Sequence, residues 1–185
     1  MACLSALKAE ENTLSPYATR EDFRKLFTDE ANSFYLLSFL LTARHEMAEL
    51  CLVTGSIECV EGNAVSRDWV RPWARRITIR NAIRMMMPRP DPSRPAPSAM
   101  NRKGKLTGMR LQDAPFASIL RLEDFERFVY VLSVLEGYVD QNCALLLGAS
   151  AQAVRNARQR ALKHIAEFEM GEAAPVDELT SLGQC

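Results

Sequence analysis

Residues 140–165, DQNCALLLGASAQAVRNARQRALKHI, contain the most specific structural pattern in the chain. A short apolar stretch, with Asp140 as its expected cap, ends at Gly148, and a longer periodic stretch begins after Ser150. Glycine can adopt the left-handed backbone conformation that reverses a chain within a few residues. The pattern therefore predicts a helix-turn-helix, in which a short helix and a turn precede a second, capped helix.

The second of these helices is predicted to have one aliphatic side and one polar side. Val154, Ala157, Ala161 and Ile165 recur at helical spacing, and no acidic residue occurs between positions 151 and 164. Basic and amide side chains on the other faces suit DNA phosphates and the purine edges of the major groove. The expected DNA-binding residues are Ser150, Gln152, Ala153, Arg155, Asn156, Arg158, Gln159, Arg160 and Lys163. An ordinary amphipathic helix with a solvated basic face is the alternative interpretation.

Two further helices are predicted directly before this pair. Phe116, Ile119 and Leu120 indicate a short helix, and residues 123–136 carry an amphipathic pattern that stops at Gly137. The apolar face of this amphipathic helix is expected to contain Phe125, Phe128, Val129, Leu132 and Leu135.

Three segments of this half resemble region four of bacterial sigma factors of the extracytoplasmic-function group, in the sigma-70 family. They are FERFVYVLSVLEGY at 125–138, ALLLGAS at 144–150 and VRNARQRALKHI at 154–165. In that family, region four binds the upstream promoter element and docks on the flap of the RNA polymerase beta subunit. The resemblance implies a DNA-binding protein that directs RNA polymerase to promoters.

The N-terminal half is also predicted to be helical. The helical stretches are 21–41, with a break near 29–32, then 45–60, and then 66–87. Gly55 and Gly62 are expected to weaken the middle stretch, whose apolar positions include Leu50 and Val53. Ser66 is the candidate cap of the last stretch. A proline within that stretch, at position 72, must lie in a first turn or mark a kink.

Arginines and tryptophans share the last of these stretches. Four of the arginines recur at intervals of four, five and four residues, with the tryptophans beside them. This combination suits single-stranded DNA, because bases stack on aromatic rings and phosphates pair with cations. The expected DNA contacts here are Trp69, Trp73, Arg71, Arg75, Arg76, Arg80 and Arg84. The alternative is that the tryptophans are core residues and the arginines are solvated.

This half resembles region two of the same family more loosely. DFRKLFTDEANSFYLLSFLLTA at 22–43 is similar to the opening helix pair, and WVRPWARRITIRNAIR at 69–84 to the helix that melts and reads the downstream promoter element. Residues 48–49 resemble the start of the helix that grips the beta-prime coiled coil. The chain departs from the family at Pro72 and at 49–58, ELCLVTGSIE, where acidic and glutamine residues are usual.

A proline-rich segment separates the two halves. Residues 88–98, PRPDPSRPAPS, contain five prolines and favour an extended, semi-rigid spacer. Residues 67–110 hold twelve basic and two acidic residues between acidic ends, as expected of a polyanion contact or of a solvated basic linker. We predict an all-α protein of two small helical domains. The predicted divisions are a region-two-like domain at 1–87 that opens with a loose arm, a linker at 88–112, a helix-turn-helix domain at 113–170 and a flexible tail at 171–185.

Composition and motifs favour some protein classes over others. The start of the chain has no secretory signal pattern, and the richest apolar stretch is too short for a membrane span, so we expect a cytoplasmic protein without membrane contact. The five cysteines form no C-x-x-C pair, which favours free thiols in a reducing compartment. No phosphate loop or H-E-x-x-H motif occurs. We therefore expect neither an enzyme nor a bound cofactor or metal.

The leading hypothesis is a sigma factor. Its partners would be promoter DNA and the beta and beta-prime subunits of core RNA polymerase, with an anti-sigma factor as a further candidate. The second hypothesis is a sigma-like regulator that binds DNA without opening promoters. The third is a protein–protein module, which would show no steep salt dependence because it contacts no phosphates.

Overall fold

The structure, a computed structural model, describes residues 16–62, 65–90 and 116–172. The predicted N-terminal arm, proline-rich linker and C-terminal tail lie largely outside these ranges. Helices dominate the described residues, which contain no strand, so the all-α prediction is confirmed. The chain divides into two compact units, Met1–Pro88 and Arg89–Cys185.

Four α-helices form the described part of the first unit. They are α1 (Arg20–Asp29), α2 (Ala31–Thr42), α3 (His45–Glu61) and α4 (Val70–Met86), with a 3-10 turn, Arg67–Trp69, before α4. Thr19 caps α1, since its hydroxyl accepts from the Asp22 backbone N–H at 3.2 Å while the Asp22 carboxylate accepts from the Thr19 N–H at 2.7 Å. The backbone hydrogen bond from Thr19 lowers the pKa of Asp22, because it favours the charged carboxylate.

The core of the first unit draws on all four of its described helices, and Phe27 of α1 and Phe34 of α2 belong to it. The predicted break between them is confirmed at Glu30. Phe27 and Phe34 pack across this break with ring centroids 4.6 Å apart, and Phe34 is fully buried. Burying a phenylalanine side chain contributes about 1.5–3 kcal/mol, so this aromatic pair stabilises the angle between the two helices.

Gly55 marks a close approach of α3 to α4. A Cβ at this position would lie 3.4 Å from Thr78 Oγ1 and 3.8 Å from Thr78 Cα. The sequence predicts a weakened helix here, but α3 continues unbroken for 17 residues. A Cβ here would make ordinary van der Waals contacts, so the packing of α3 on α4 tolerates glycine without requiring it and offsets its helix-propensity cost of about 1 kcal/mol.

The start of α4 confirms one prediction and corrects another. Pro72 is the third residue of the helix, within the first turn, where its missing N–H removes no helical hydrogen bond. Ser66 does not cap the helix through its side chain, and that prediction is wrong. The reason is the 3-10 turn, in which the Trp69 N–H donates to the Ser66 carbonyl at 2.9 Å and delays the helix to Val70.

The second unit contains four α-helices and a π-helical turn in its described residues. They are α5 (Ala117–Leu120), α6 (Asp124–Tyr130), the π-turn (Val131–Leu135), α7 (Asp140–Leu147) and α8 (Ala151–Glu172). The long helix α8 packs against α5, α6 and α7. Leu122, Ala161 and Ile165 form a buried cluster at this junction. All other helices of the unit therefore support α8.

The π-turn corrects the predicted apolar face of the amphipathic helix. Leu135 was assigned to that face by α-helical spacing, but it is 46% exposed. The Glu136 N–H donates to the Val131 carbonyl, five residues back, which widens the turn and rotates the following side chains. Val131 and Leu132 are consequently both buried, and Gly137, with a φ of 71°, ends the helix as predicted.

Candidate nucleic-acid interface

The connection between α7 and α8 is as tight as the sequence predicts. Gly148 adopts a left-handed conformation, with a φ of 61°, and ends α7. The Ala149 N–H donates to the Ala144 carbonyl at 3.0 Å, which closes the end of the helix. Ser150 Oγ accepts from the Ala153 N–H at 3.1 Å, so Ser150 caps α8.

The aliphatic side of α8 is buried, as predicted. Leu147 of α7 is also buried. The buried positions of α8 are Val154, Ala157, Ala161 and Ile165. Because these residues recur every three or four positions, burying them directs the opposite side of the helix toward solvent.

The outward side of α8 carries a chain of hydrogen-bonded polar groups. Arg155 Nη2 donates to Gln152 Oε1 at 2.7 Å, and Gln152 Nε2 donates to Asn156 Oδ1 at 2.8 Å. Ser150 is exposed beside them, and Ala153 is half-buried. The exposed predicted DNA contacts of α8 itself are Gln152, Arg155, Asn156, Gln159, Arg160 and Lys163.

Three of the predicted phosphate ligands pair with acids inside the second unit, the most exposed pair being that of Lys163 Nζ, 3.8 Å from Glu167 Oε1 of the same helix. Arg158 donates to both carboxylate oxygens of Asp140, at 2.6 and 3.4 Å, and Arg160 Nε donates to Glu126 Oε1 at 2.6 Å. The prediction that Asp140 caps α7 is wrong, because Val139 holds the cap position and the carboxylate is drawn to Arg158. Since the side chains of Arg158 and Arg160 remain 34% and 47% exposed, their other N–H groups still reach the surface.

Glu126 is a buried acid that links α6 to α8. It is 5% exposed, and its Oε2 lies 3.3 Å from His164 Nδ1 while Oε1 accepts from Arg160. A buried carboxylate needs such partners, because losing its hydration is costly. Sequence reasoning missed Glu126, since 34 residues separate it from Arg160 and no local pattern connects them.

Most arginines of the predicted stripe on α4 contact other helices of the first unit. Arg71 Nη2 lies 2.8 Å from a carboxylate oxygen of Glu30. Arg80 pairs with Glu58, and Arg84 Nη1 lies 3.6 Å from the same carboxylate oxygen. These pairs connect α4 to the α1–α2 junction and to α3, so the stripe is less available to phosphates than its spacing indicates.

The other predicted DNA contacts of α4 and of the turn before it differ in exposure. Arg75 Nη1 donates to Ser33 Oγ at 3.2 Å, whereas Arg76 is exposed and makes no ion pair with any residue of the described ranges. Trp73 is half-buried and packs on the core of the unit, while Trp69 is 65% exposed. Of the two tryptophans, Trp69 is therefore the one whose ring is open for stacking on a base.

An exposed apolar stripe on α3 was missed by sequence reasoning. Leu50, Val53 and Ile57 are 52%, 53% and 50% exposed. The side of α3 that faces the core carries smaller residues, namely Ala48, Cys51, Gly55 and Cys59. Because both sides of this helix contain apolar residues, periodicity identifies them without showing which side is buried.

The cysteines of the described residues are buried free thiols, at positions 51, 59 and 143. Burial raises the pKa of Cys59 to about 12 and that of Cys143 to about 11, so both are neutral thiols near pH 7. Residues 16–62, 65–90 and 116–172 contain no group of three or more potential metal ligands. Cys3 and Cys185 lie outside the described residues.

No model of a known protein family matches this chain, and no curated protein is significantly similar to it in sequence. Among the helices of the described ranges, none combines the length and apolar character that a membrane span requires.

Proposed function

We propose that this chain is a sigma factor that directs bacterial RNA polymerase to promoters, with α8 as the helix that reads DNA. The observation that carries the proposal is the geometry of α8, whose aliphatic side is buried against neighbouring helices while its guanidinium and amide groups lie outward. A recognition helix needs one buried apolar side and one exposed polar side, because it must enter the major groove while remaining rigidly attached to its domain. The α7–turn–α8 unit would then be a DNA-binding helix-turn-helix.

The proposed roles on α8 follow from side-chain chemistry. Gln152, Arg155, Asn156 and Gln159 are exposed and carry the amide and guanidinium groups that match base edges in the major groove. Lys163 and the outer N–H groups of the paired arginines would bind phosphates, which fixes register without reading sequence.

The exposed stripe on α3 supports a contact with core polymerase. Leu50, Val53 and Ile57 present three half-exposed aliphatic side chains on the helix that the family resemblance assigns to the beta-prime grip. Large exposed apolar groups in a row are typical of a protein interface. The chemistry of RNA synthesis would belong to the polymerase, and the chain would act in the cytoplasm.

A second candidate function is a sigma-like regulator that binds DNA without opening it. The ion pairs of Arg71, Arg80 and Arg84 favour this alternative, since they engage the groups that strand opening would use. Permanganate footprinting of the polymerase complex distinguishes the two, because the reagent oxidises unpaired thymines. Thymine reactivity that Trp69→Ala abolishes supports the sigma factor, and polymerase binding without reactivity supports the regulator.

Run-off transcription tests the leading proposal directly. Core bacterial RNA polymerase is incubated with the full chain and a library of duplexes whose upstream segment is randomised. We expect promoter-dependent transcripts that require the chain, and a loss of about tenfold or more with Arg155→Ala if this residue makes a bidentate base contact. Arg24→Ala is the matched control, because Arg24 is an exposed arginine of the first unit that pairs with Glu21. The absence of any chain-dependent transcript contradicts the proposal.

A further inference from the structure

The polarity of the hydrogen-bonded chain on α8 is set by Arg155. A guanidinium group can only donate hydrogen bonds, so Gln152 must present its carbonyl oxygen to Arg155. The amide nitrogen of Gln152 then points the other way, toward Asn156 Oδ1, to which it donates at 2.8 Å. The orientation of the Gln152 amide fixes that of the Asn156 amide. The donor-to-acceptor direction of this row of hydrogen bonds therefore follows from Arg155, which can only donate.

This polarity determines which groups remain for DNA. Both amide oxygens, Gln152 Oε1 and Asn156 Oδ1, already accept a hydrogen bond within the helix. This row of hydrogen bonds leaves several N–H groups unpaired, namely the two of Asn156 Nδ2, one of Gln152 Nε2 and the remaining ones of Arg155. Each amide oxygen keeps a second lone pair, so the exposed edge offers more free donors than free acceptors.

We infer that Gln152 is a positioning residue that holds Asn156 with its amide nitrogen outward, so that this edge of α8 selects bases that offer acceptors. In the major groove, guanine presents two acceptors, N7 and O6, and thymine presents one, O4, whereas cytosine presents an amino donor and adenine an amino donor beside its N7 acceptor. A donor-rich edge pairs with guanine and leaves the amino group of adenine or cytosine without a partner. The inference rests on the proposed function, because it names the base class that the same helix reads.

The hydrogen bonds are exposed in the free protein, where water competes with them. Docking in the major groove removes that water. If the direction of these hydrogen bonds were reversed there, a buried donor of one side chain would face a donor of its neighbour. The side-chain hydrogen bonds would consequently keep this donor-to-acceptor direction more strictly in the DNA complex than in the free protein.

Selection from random duplexes by the full chain tests the inference. The base position read by Asn156 is identified as the one whose preference is lost in Asn156→Ala. At that position we expect the unsubstituted chain to prefer guanine over adenine or cytosine by about tenfold, as for one well-formed base contact.

Gln152→Glu is the decisive variant. A carboxylate accepts from Arg155 and also from Asn156, so the Asn156 amide turns over and presents its oxygen outward. We expect the preference at the Asn156 position to change from guanine to adenine or cytosine. Gln152→Met, which offers neither a strong donor nor a strong acceptor, is the control and should relax the preference without reversing it. Circular dichroism checks that each variant keeps its helicity.

The outcomes separate this inference from the proposed function. A sequence-specific chain whose preference at the Asn156 position is unchanged by Gln152→Glu overturns the inference and leaves the sigma-factor proposal standing. A preference for adenine or cytosine at that position in the unsubstituted chain also overturns it. A chain that enriches no sequence, and whose binding does not depend on salt, overturns both.

Discussion

Helices α4 and α8 are both rich in arginine, and both contain arginines that pair with acids of other helices, but Arg155 of α8 has its partner on its own helix. On α4, Arg80 and Arg84 share Glu58 of α3. On α8, Arg155 donates to Gln152 of the same helix, and both residues are exposed. Arginines at helical spacing therefore do not by themselves distinguish a nucleic-acid surface from a set of interhelical ion pairs. The position of the acids in the fold makes that distinction.

The largest expected effect concerns the buried acid that supports α8. Glu126→Ala leaves Arg160 and His164 without their shared carboxylate. Because Arg160 is 47% exposed and can regain water, the expected loss in unfolding free energy of the second unit is at the low end for a buried pair, about 3 kcal/mol. Urea denaturation followed by circular dichroism measures it. Glu169→Ala, at an exposed position of α8, is the control, and equal losses for both variants contradict the role assigned to Glu126.

The next effect compares the two arginine helices directly. Arg155→Ala should weaken binding to a selected duplex by about 1–3 kcal/mol, because it removes a base contact. Arg80→Ala should change the same affinity by less than about 0.5 kcal/mol, since its guanidinium pairs with Glu58 and makes no base contact. Fluorescence anisotropy with a labelled duplex measures both. Equal losses would show that the ion pairs of α4 do not decide which helix reads DNA.

A smaller effect is expected when the α4 arginines are released. Glu58→Gln removes the charge that Arg80 and Arg84 share. Since the side chains of Arg80 and Arg84 are 42% and 59% exposed, stability should fall by only about 0.5–1 kcal/mol. Affinity for single-stranded DNA should rise modestly, because two guanidinium groups become available to phosphates. An unchanged stability with unchanged single-strand affinity contradicts the pairing.

The smallest effect involves one buried thiol in each unit. Burial raises the pKa of Cys59 to about 12 and of Cys143 to about 11, above the ordinary value of 9.0, so the fold favours the neutral thiol. This contribution is complete below the ordinary value and decreases as pH rises toward 12 or 11. From pH 7 to 9 the unfolding free energy should fall by about 0.4 kcal/mol per thiol.

Cys59→Ala and Cys143→Ala should each remove their share of that decrease. Urea midpoints at the two pH values provide the measurement. An identical pH dependence in the variants and in the unsubstituted chain would rule out this origin.

Local features of the fold could be predicted from the sequence because neighbouring residues determine them. The Gly148 turn, the Ser150 cap and the buried face of α8 all depend on nearby residues, and all were confirmed. Pro72 lies in a first turn, one of the two placements that the sequence left open. A π-turn follows from packing and not from residue type, so spacing alone assigned Leu135 to the wrong side.

Contacts between distant residues could not be predicted. Asp140 was expected to cap α7, but it pairs with Arg158, 18 residues away. Glu58 and Arg80 are 22 residues apart, and no periodic pattern relates them. The candidate site was therefore predictable in composition, whereas the choice of which arginines stay available to DNA depends on the tertiary fold.

Duplex binding as a function of salt tests the central claim, that the outward side of α8 binds DNA, most directly. The full chain and its Arg155→Ala variant are titrated against a selected duplex by anisotropy at several salt concentrations. The account predicts that Kd rises by about tenfold or more between 50 and 200 mM salt, as neutralising two or more phosphates requires, and that the variant binds more weakly throughout. A Kd that is independent of salt, or identical for the two proteins, would contradict it.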